Sequence, residues 1–155
     1  MNRNAASASP ASNVRSGSTC NSPLVTAFKH YLEEHLARVS GKSVIAEHIR
    51  AINAFDTDAI MRTFAPDAVV NDNRREIAGS DAIRRWVEKE IVGDKVTMEI
   101  RECMEHRGNT IVRARYDGLY DKANLPPELI LSNYFTVCDG RITTLIIIFN
   151  QPSPY

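Results

Sequence analysis

Residues 55–86, FDTDAIMRTFAPDAVVNDNRREIAGSDAIRRW, contain two helix starts and a short strand, and they decide how the rest of the chain is arranged. Asp56-Thr57-Asp58 predicts the first helix start, because short polar side chains accept hydrogen bonds from the free N–H groups of a first turn. Pro66 should end this helix, since proline lacks the N–H group and disfavours the α conformation in the preceding residue. The apolar side of the helix consists of Ile60, Met61 and Phe64.

The second half of this stretch predicts one wall of a pocket. A β-favouring run, Ala68-Val69-Val70, is followed closely by Asp72. Gly79-Ser80-Asp81 then predicts a second helix, whose apolar side is Ile83, Trp86, Val87 and Ile91. Asp72 is thus a carboxylate at the point where a strand leaves the core, beside a helix that carries the only tryptophan of the chain.

Length and charge narrow the class of protein. The 155 residues suffice for one domain with a sizeable core, and the 19 basic and 19 acidic side chains give a net charge of zero. Charge therefore gives no reason to expect binding to nucleic acid or to an anionic membrane. The sequence has no apolar run long enough to cross a membrane. Its three cysteines lack metal-ligand spacing and are typical of reduced thiols in a cytoplasmic protein, so we expect no metal.

The chain divides into a polar tail and one domain. Residues 1–22 are almost entirely Ser, Asn, Ala, Pro, Gly and Arg, so they cannot bury enough apolar area to offset the entropy of ordering. We expect this segment to be disordered; a targeting peptide is the alternative, although the segment has no amphipathic stripe. The domain should span residues 23–151, beginning with an amphipathic helix over residues 24–39.

The remaining pattern predicts an α+β fold. A helix after Ser43 carries a buried stripe, and from residue 96 the apolar period changes from helical spacing to two, which predicts four long strands joined mainly by hairpins. Helices followed by antiparallel strands indicate N-terminal helices packed on a curved, mostly antiparallel sheet. Such curvature leaves a cone-shaped pocket between the two layers, where small ligands commonly bind.

Three polar residues interrupt apolar faces: His48, Asp72 and Asn133. A buried polar group without a partner costs a few kcal/mol, so each must meet a protein group, a water molecule or a ligand. The structural alternative is that His48 and Asn133 bind backbone groups, and that Asp72 caps its loop or pairs with Arg74 or Arg75. We expect the pocket to be lined by Trp86, Tyr116, Phe135, Ile52 and Phe64, each of which is otherwise a core residue.

The segments NAFDTDAIMRTFAPDAVVND, IAGSDAIRRWV and CDGRITTL resemble the SnoaL-like and ketosteroid-isomerase-like branch of the nuclear-transport-factor-2-like superfamily, over residues 44–150. The resemblance implies a cone of helices on a curved sheet and a homodimer. Carried over by position, it places Asp72 at the general base of the isomerases, His48 at their tyrosine donor and Asn133 near their protonated aspartic acid. Histidine and asparagine can both donate hydrogen bonds, but they depart from the tyrosine–acid pair.

Two functions from different classes follow from these observations. The first is a cofactor-independent isomerase, cyclase or dehydratase that acts on a small apolar carbonyl compound, with Asp72 as base and with His48 and Asn133 binding the enolate oxygen. The second is a non-catalytic ligand-binding or dimerisation module that uses the same cone. In both cases we expect a homodimer through the open face of the sheet, where Ile130, Tyr134, Ile146 and Ile148 form an apolar surface.

Overall fold

The computed structural model describes residues 43–150, which contain three α-helices, a π-helix and six strands. The helical elements are α1 (Ser43–Asn53), α2 (Thr57–Thr63) and α3 (Ser80–Trp86), the last continued by a π-helix (Val87–Val92). The strands are β1 (Phe64–Asp72), β2 (Arg75–Ala78), β3 (Thr97–His106), β4 (Asn109–Asp117), β5 (Leu129–Cys138) and β6 (Arg141–Phe149).

The strands form one sheet in the order β2-β1-β6-β5-β4-β3. Only the pairing of β1 with β6 is parallel within residues 43–150; the other four pairings are antiparallel. Register shifts place extra residues in β1, β3 and β6, and such bulges bend the strands that carry them. The helices cover one face of this curved sheet, which confirms the predicted α+β cone.

The local signals of the opening stretch act largely as predicted. Asp56 caps α2 by accepting a hydrogen bond of 2.9 Å from the N–H group of Ala59. The helix ends at Thr63, and the chain enters β1 at Phe64, so the predicted strand of three residues is nine residues long and includes Pro66. Phe64 therefore belongs to the strand and not to the helix. The four-residue strand β2 was not predicted.

The core lies between the helices and the inner face of the sheet. The predicted stripe of α1 is buried, and so is the predicted apolar side of α3 and the π-helix, Ile83, Trp86, Val87 and Ile91. β6 alternates buried Leu145 and Ile147 with Ile146 and Ile148, which are 36% and 40% exposed. One face of β6 therefore packs in the core, while its other face adds apolar area to the outside of the sheet.

Two predictions fall on other parts of the chain. The polar tail over residues 1–22 and the amphipathic helix over residues 24–39 lie outside the described residues. Within residues 43–150, no helix is both long and apolar enough to span a membrane.

Candidate functional site

A cavity of about 220 Å³ lies between the α3/π-helix unit and the inner face of the sheet. Its apolar lining is Trp86, Ile91, Val96, Leu125, Leu129, Leu131 and Ile147. Its polar lining is Asp72, Glu90, Asp94, Tyr116 and Tyr120. An apolar chamber with a few converging polar groups is typical of a site for a small organic ligand.

Asp72 is held at the edge of this cavity by two donors on the same oxygen. It is the last residue of β1, and its Oδ2 accepts hydrogen bonds from Nη2 of Arg75 at 2.7 Å and from Nε1 of Trp86 at 3.3 Å. Its other oxygen, Oδ1, has no hydrogen-bond partner in the part of the chain that the structure describes. The carboxylate is therefore fixed through one oxygen and leaves the other available.

Arg75 connects Asp72 to a second carboxylate. It stands opposite Asp72 in the β1–β2 pairing. It also forms a bidentate ion pair with Glu90, in which Nη1 donates to Oε1 at 2.9 Å and Nη2 donates to Oε2 at 2.6 Å. The hydrogen bonds to Glu90, and then those to Asp72, raise the pKa of Arg75 above its ordinary value. The guanidinium is thus a permanent cation between two anions.

Tyr116 presents a phenol that Asn133 orients. The Tyr116 hydroxyl donates a hydrogen bond of 2.7 Å to Oδ1 of Asn133, whose Nδ2 donates to the backbone oxygen of Val112 at 3.1 Å. Because the amide nitrogen is bound to the backbone, the amide oxygen must face the phenol. Burial raises the pKa of Tyr116, and the nearby Asp72 carboxylate adds to the rise. The phenol therefore keeps its proton at neutral pH and can act as a hydrogen-bond donor.

His48 lies in the core, 1% exposed, and outside the set of residues that line the cavity. Its Nδ1 is 2.8 Å from the Thr63 hydroxyl, which itself donates to the backbone oxygen of Ile60 at 2.6 Å. Since that hydroxyl has only one proton, Nδ1 must be the donor and Nε2 the bare acceptor. Within residues 43–150, Nε2 has no hydrogen-bond partner. Burial lowers the pKa of His48 from 6.5 to about 3, so the ring is neutral.

The structure brings some of the predicted residues together and separates others. Asp72, Trp86 and Tyr116 line one cavity, and Asn133 lies directly behind the Tyr116 hydroxyl. The expected lining residues Phe135, Ile52 and Phe64 are instead buried core residues, outside the lining of this cavity. The rings of Phe64 and Phe135 form T-shaped contacts with the His48 ring, at centroid distances of 5.1 and 5.7 Å. The core around His48 is therefore separate from the cavity around Asp72.

The sequence interpretation missed Glu90, Asp94 and Tyr120 as lining residues. Glu90 had a usable signal, because it lies four residues after Trp86 and so on the same side of a helix. Asp94 and Tyr120 lie in connections between elements, where the apolar period gives no signal. The hydrogen bond of 2.6 Å from the Leu119 N–H group to the Asp94 backbone oxygen joins these two connections.

Among residues 43–150, the cavity lining carries three carboxylates and no basic side chain. The neighbouring cation, Arg75, is shared between two of them, Asp72 and Glu90. Anionic ligands are therefore disfavoured electrostatically at this site. Among residues 43–150, no three His, Cys, Asp or Glu side chains meet in a way that could hold a metal ion.

Comparison with known families and structures gives consistent results. The SnoaL-like domain family matches residues 45–145. The crystal structure of a putative polyketide cyclase from Sinorhizobium meliloti is 32% identical with a TM-score of 0.61, covering 68% of this chain and 93% of that one. The epoxide hydrolase/cyclase-like enzyme SalBIII, which has a role in pyran ring formation in the polyether salinomycin, is 20% identical with a TM-score of 0.61. The match covers 79% of this chain and 93% of that one. A computationally designed 17-OHP binder is 18% identical with a TM-score of 0.59, covering 69% of this chain and 88% of the binder.

The last two likenesses concern the fold alone. None of the curated proteins matches the sequence.

Proposed function

Since the chain belongs to the family of SnoaL-like domains, we propose that it is an enzyme performing acid/base chemistry on a small apolar carbonyl compound, with Asp72 as the general base. The reaction class is isomerisation, cyclisation or dehydration. The observation that carries this proposal is the geometry of Asp72: Oδ2 is held by Arg75 and Trp86, while Oδ1 has no partner within residues 43–150. The likeness to a putative polyketide cyclase at 32% identity supports the same class.

In the proposed reaction, Oδ1 of Asp72 removes a proton from the carbon next to the substrate carbonyl. The electron pair of the broken C–H bond moves to the carbonyl oxygen, which becomes an enolate oxygen and needs a hydrogen-bond donor. The Tyr116 hydroxyl lines the same cavity and keeps its proton. Because a phenol has only one proton, Tyr116 becomes the donor when its O–H bond rotates from Oδ1 of Asn133 toward the enolate oxygen. The carboxylic acid formed at Asp72 returns the proton to a different atom of the substrate.

This assignment modifies the roles of the two predicted donors. Asn133 acts through Tyr116, because its amide nitrogen is bound to Val112 and its amide oxygen accepts the phenol proton until the substrate takes that hydrogen bond. The Nδ1 proton of His48 is committed to Thr63, and its Nε2 carries no proton to donate. The role that best fits His48 is therefore structural, as a neutral core residue.

The substrate class follows from the size and charge of the lining. A volume of about 220 Å³ is below the roughly 300–1,000 Å³ of pockets for drug-sized ligands, so the substrate is a small compound. Three carboxylates disfavour substrates that carry a carboxylate or phosphate group. A neutral, mainly apolar ketone or aldehyde fits both features.

Proton exchange at the α-carbon tests the proposed function. Asp72→Asn keeps the shape of the side chain but removes the base, so exchange of the α-protons of cyclohexanone in D₂O should fall about 10²–10⁴-fold. The folded state should persist, as circular dichroism can show. Asp67→Asn is the matched control, because Asp67 is an exposed carboxylate on the same strand. Equal exchange in wild type and Asp72→Asn would rule out the base.

A non-catalytic binding module is the second candidate, because the same cavity could hold a ligand without chemistry. Phenol imitates the enolate, and the fluorescence of Trp86, the only tryptophan, should report its entry. Saturable phenol binding without proton exchange would favour this module. If Asp72 is the base, Asp72→Asn should retain or strengthen phenol binding, since a neutral amide no longer repels the oxygen of the analogue.

We also propose a homodimer through the outer face of the sheet, formed by Ile130, Tyr134, Ile146 and Ile148. Tyr134 stands opposite Ile146 in the β5–β6 pairing, and Ile146 and Ile148 are 36% and 40% exposed. Apolar side chains exposed together on one face of a sheet often mark an interface with another protein chain. A second copy would cover it with the same residues, as two-fold symmetry requires.

A further inference from the structure

Glu90, Arg75 and Asp72 form a continuous chain of charge-assisted hydrogen bonds that runs from the π-helix to the end of β1. We infer that Glu90 is a positioning residue, which holds the Arg75 guanidinium so that Arg75 fixes Oδ2 of Asp72 and leaves Oδ1 free to act. The inference rests on the proposed function for its catalytic meaning. The positioning itself is a property of the three side chains and can be measured without turnover.

The geometry explains why Arg75 needs a second anchor. Its side chain is 51% exposed, and exposed ion pairs are usually weak because solvent competes and the long side chain loses entropy. Bidentate pairs and networks are the exception, because the planar guanidinium matches both carboxylate oxygens at once. Glu90 supplies that bidentate contact at 2.9 and 2.6 Å, and only Nη2 then reaches Asp72, at 2.7 Å.

Two local irregularities bring the three residues together. A two-residue turn, Asn73-Arg74, places Arg75 directly opposite Asp72, and both turn residues have positive φ, 47° and 77°. The π-helix supplies Glu90, and irregular helical turns of this type occur frequently at functional sites. Strained backbone of this kind persists where the surrounding structure fixes it, and here the ion-pair chain spans both irregular segments.

The indole N–H group of Trp86 gives a direct readout. Because the chain has one tryptophan, a ¹⁵N-labelled sample has one indole signal, and that N–H donates to Oδ2 of Asp72. At pH 7, Arg75→Gln should displace this signal, and Glu90→Gln should displace it in the same direction. In the Arg75→Gln background, Glu90→Gln should add nothing further, since Glu90 acts through Arg75.

Two further variants separate geometry from charge. Arg75→Lys keeps the cation but cannot form the planar fork, so it should displace the indole signal much as Arg75→Gln does. Glu88→Gln is the matched control, because Glu88 lies in the same π-helix but pairs with Arg84 at 3.6 Å, away from Asp72. It should leave the signal unchanged. Additive displacements by Glu90→Gln and Arg75→Gln, or an unmoved signal in Glu90→Gln, would overturn the inference.

Cyclohexanone exchange links the positioning to the proposed function. Glu90→Gln should lower kcat by roughly tenfold to a hundredfold with little change in KM, because a misplaced base loses near-attack geometry. Different results would contradict the proposed function and the positioning by Glu90. If wild type shows no exchange but the indole displacements are coupled, the proposed function fails and the positioning stands. If Asp72→Asn abolishes exchange but the displacements are additive, the base stands and the positioning by Glu90 fails.

Discussion

At the scale of single residues, the His48 imidazole is 1% exposed, and its Nδ1 donates to Thr63. In the described part of the chain, only one of its two ring nitrogens is therefore hydrogen-bonded, since Nε2 has no partner there. A bare ring nitrogen in the core costs far less than a charged ring, so burial keeps His48 neutral. His48 differs in this respect from Asp72, whose carboxylate reaches the cavity and has a cation beside it.

The neutral state of His48 predicts how stability depends on pH. Its pKa falls from 6.5 in the unfolded chain to about 3 when buried, so between these values the unfolded chain binds more protons. The contribution of His48 to the free energy of unfolding is therefore fully present above pH 6.5 and decreases as the pH falls toward 3. The contribution of this group at pH 5 is a loss of about 2 kcal/mol.

His48→Leu should remove that loss, because leucine does not titrate. Urea unfolding at pH 7.5 and pH 5 should show a smaller decrease in the free energy of unfolding for the variant than for wild type. The comparison uses the difference between the two pH values, so the cost of the lost Thr63 contact cancels. Equal decreases in both proteins would show that His48 is not the group responsible.

At the scale of elements, the π-helix lets more side chains reach the cavity than an α-helix would. In an α-helix, Ile91 would lie about 140° around the axis from Trp86, at 100° per residue. The π-helix closes its hydrogen bonds over five residues, as in the 3.0 Å bond from the Gly93 N–H group to the Glu88 oxygen. Trp86, Glu90 and Ile91 consequently all line the cavity.

The three two-residue hairpin turns differ in one informative way. Asn73-Arg74, Arg107-Gly108 and Asp139-Gly140 all have positive φ at both residues, as type I′ turns require. Two of them have glycine at the second position, which adopts this conformation at little cost. The turn beside Asp72 has Arg74, with φ of 77° and an exposed side chain. The turn at the candidate site is therefore the most strained of the three, because both of its residues are non-glycine.

Arg74→Gly should stabilise the protein by about 0.5–1 kcal/mol, because it relieves the left-handed backbone strain. The gain is smaller than the strain itself, since glycine increases the entropy of the unfolded chain and so opposes folding. Urea unfolding at pH 7.5 measures the change. Gly108→Ala is the reciprocal control, since a Cβ there would meet nothing within 4 Å and the loss comes from φ of 80° alone. A destabilised Arg74→Gly protein would mean that the Arg74 side chain contributes more than its backbone costs.

At the scale of the whole molecule, β6 separates two apolar regions. Leu145 and Ile147 face the core, and Ile147 also lines the cavity, while Ile146 and Ile148 face outward. The site and the proposed dimer surface thus lie on opposite faces of one strand. A partner on the outer face would therefore leave the inner face of β6 to the core and the ligand.

Ile148→Glu tests the homodimer. Light scattering at micromolar concentration should give twice the mass of one chain for wild type and the mass of one chain for the variant, because the charge would be buried without a partner. Leu119→Glu is the control, since Leu119 is 75% exposed but lies in the loop after β4. It should remain a dimer. A monomeric wild type at this concentration would contradict the proposal.

The sequence by itself determined the order of the main helices and of the long strands, and the fold family. Short-range signals decide such features: the Asp56 cap, the period-two pattern of the long strands and the glycines in two of the three turns depend on neighbours in sequence. The same signals predicted a pocket that includes Asp72, Trp86 and Tyr116, because a carboxylate at a strand end and large aromatic residues are visible in the pattern, and these three residues line one cavity.

Only the tertiary structure decided which polar residues share a cavity. The apolar period marks His48 and Asp72 alike, yet His48 binds Thr63 in the core and lies outside the cavity that Asp72 lines. Nor does the period reveal that Glu90 reaches Arg75, since that contact depends on a π-helix and a strained turn meeting in space. Contacts across fifteen residues or more depend on the packing of whole elements, which no local preference encodes.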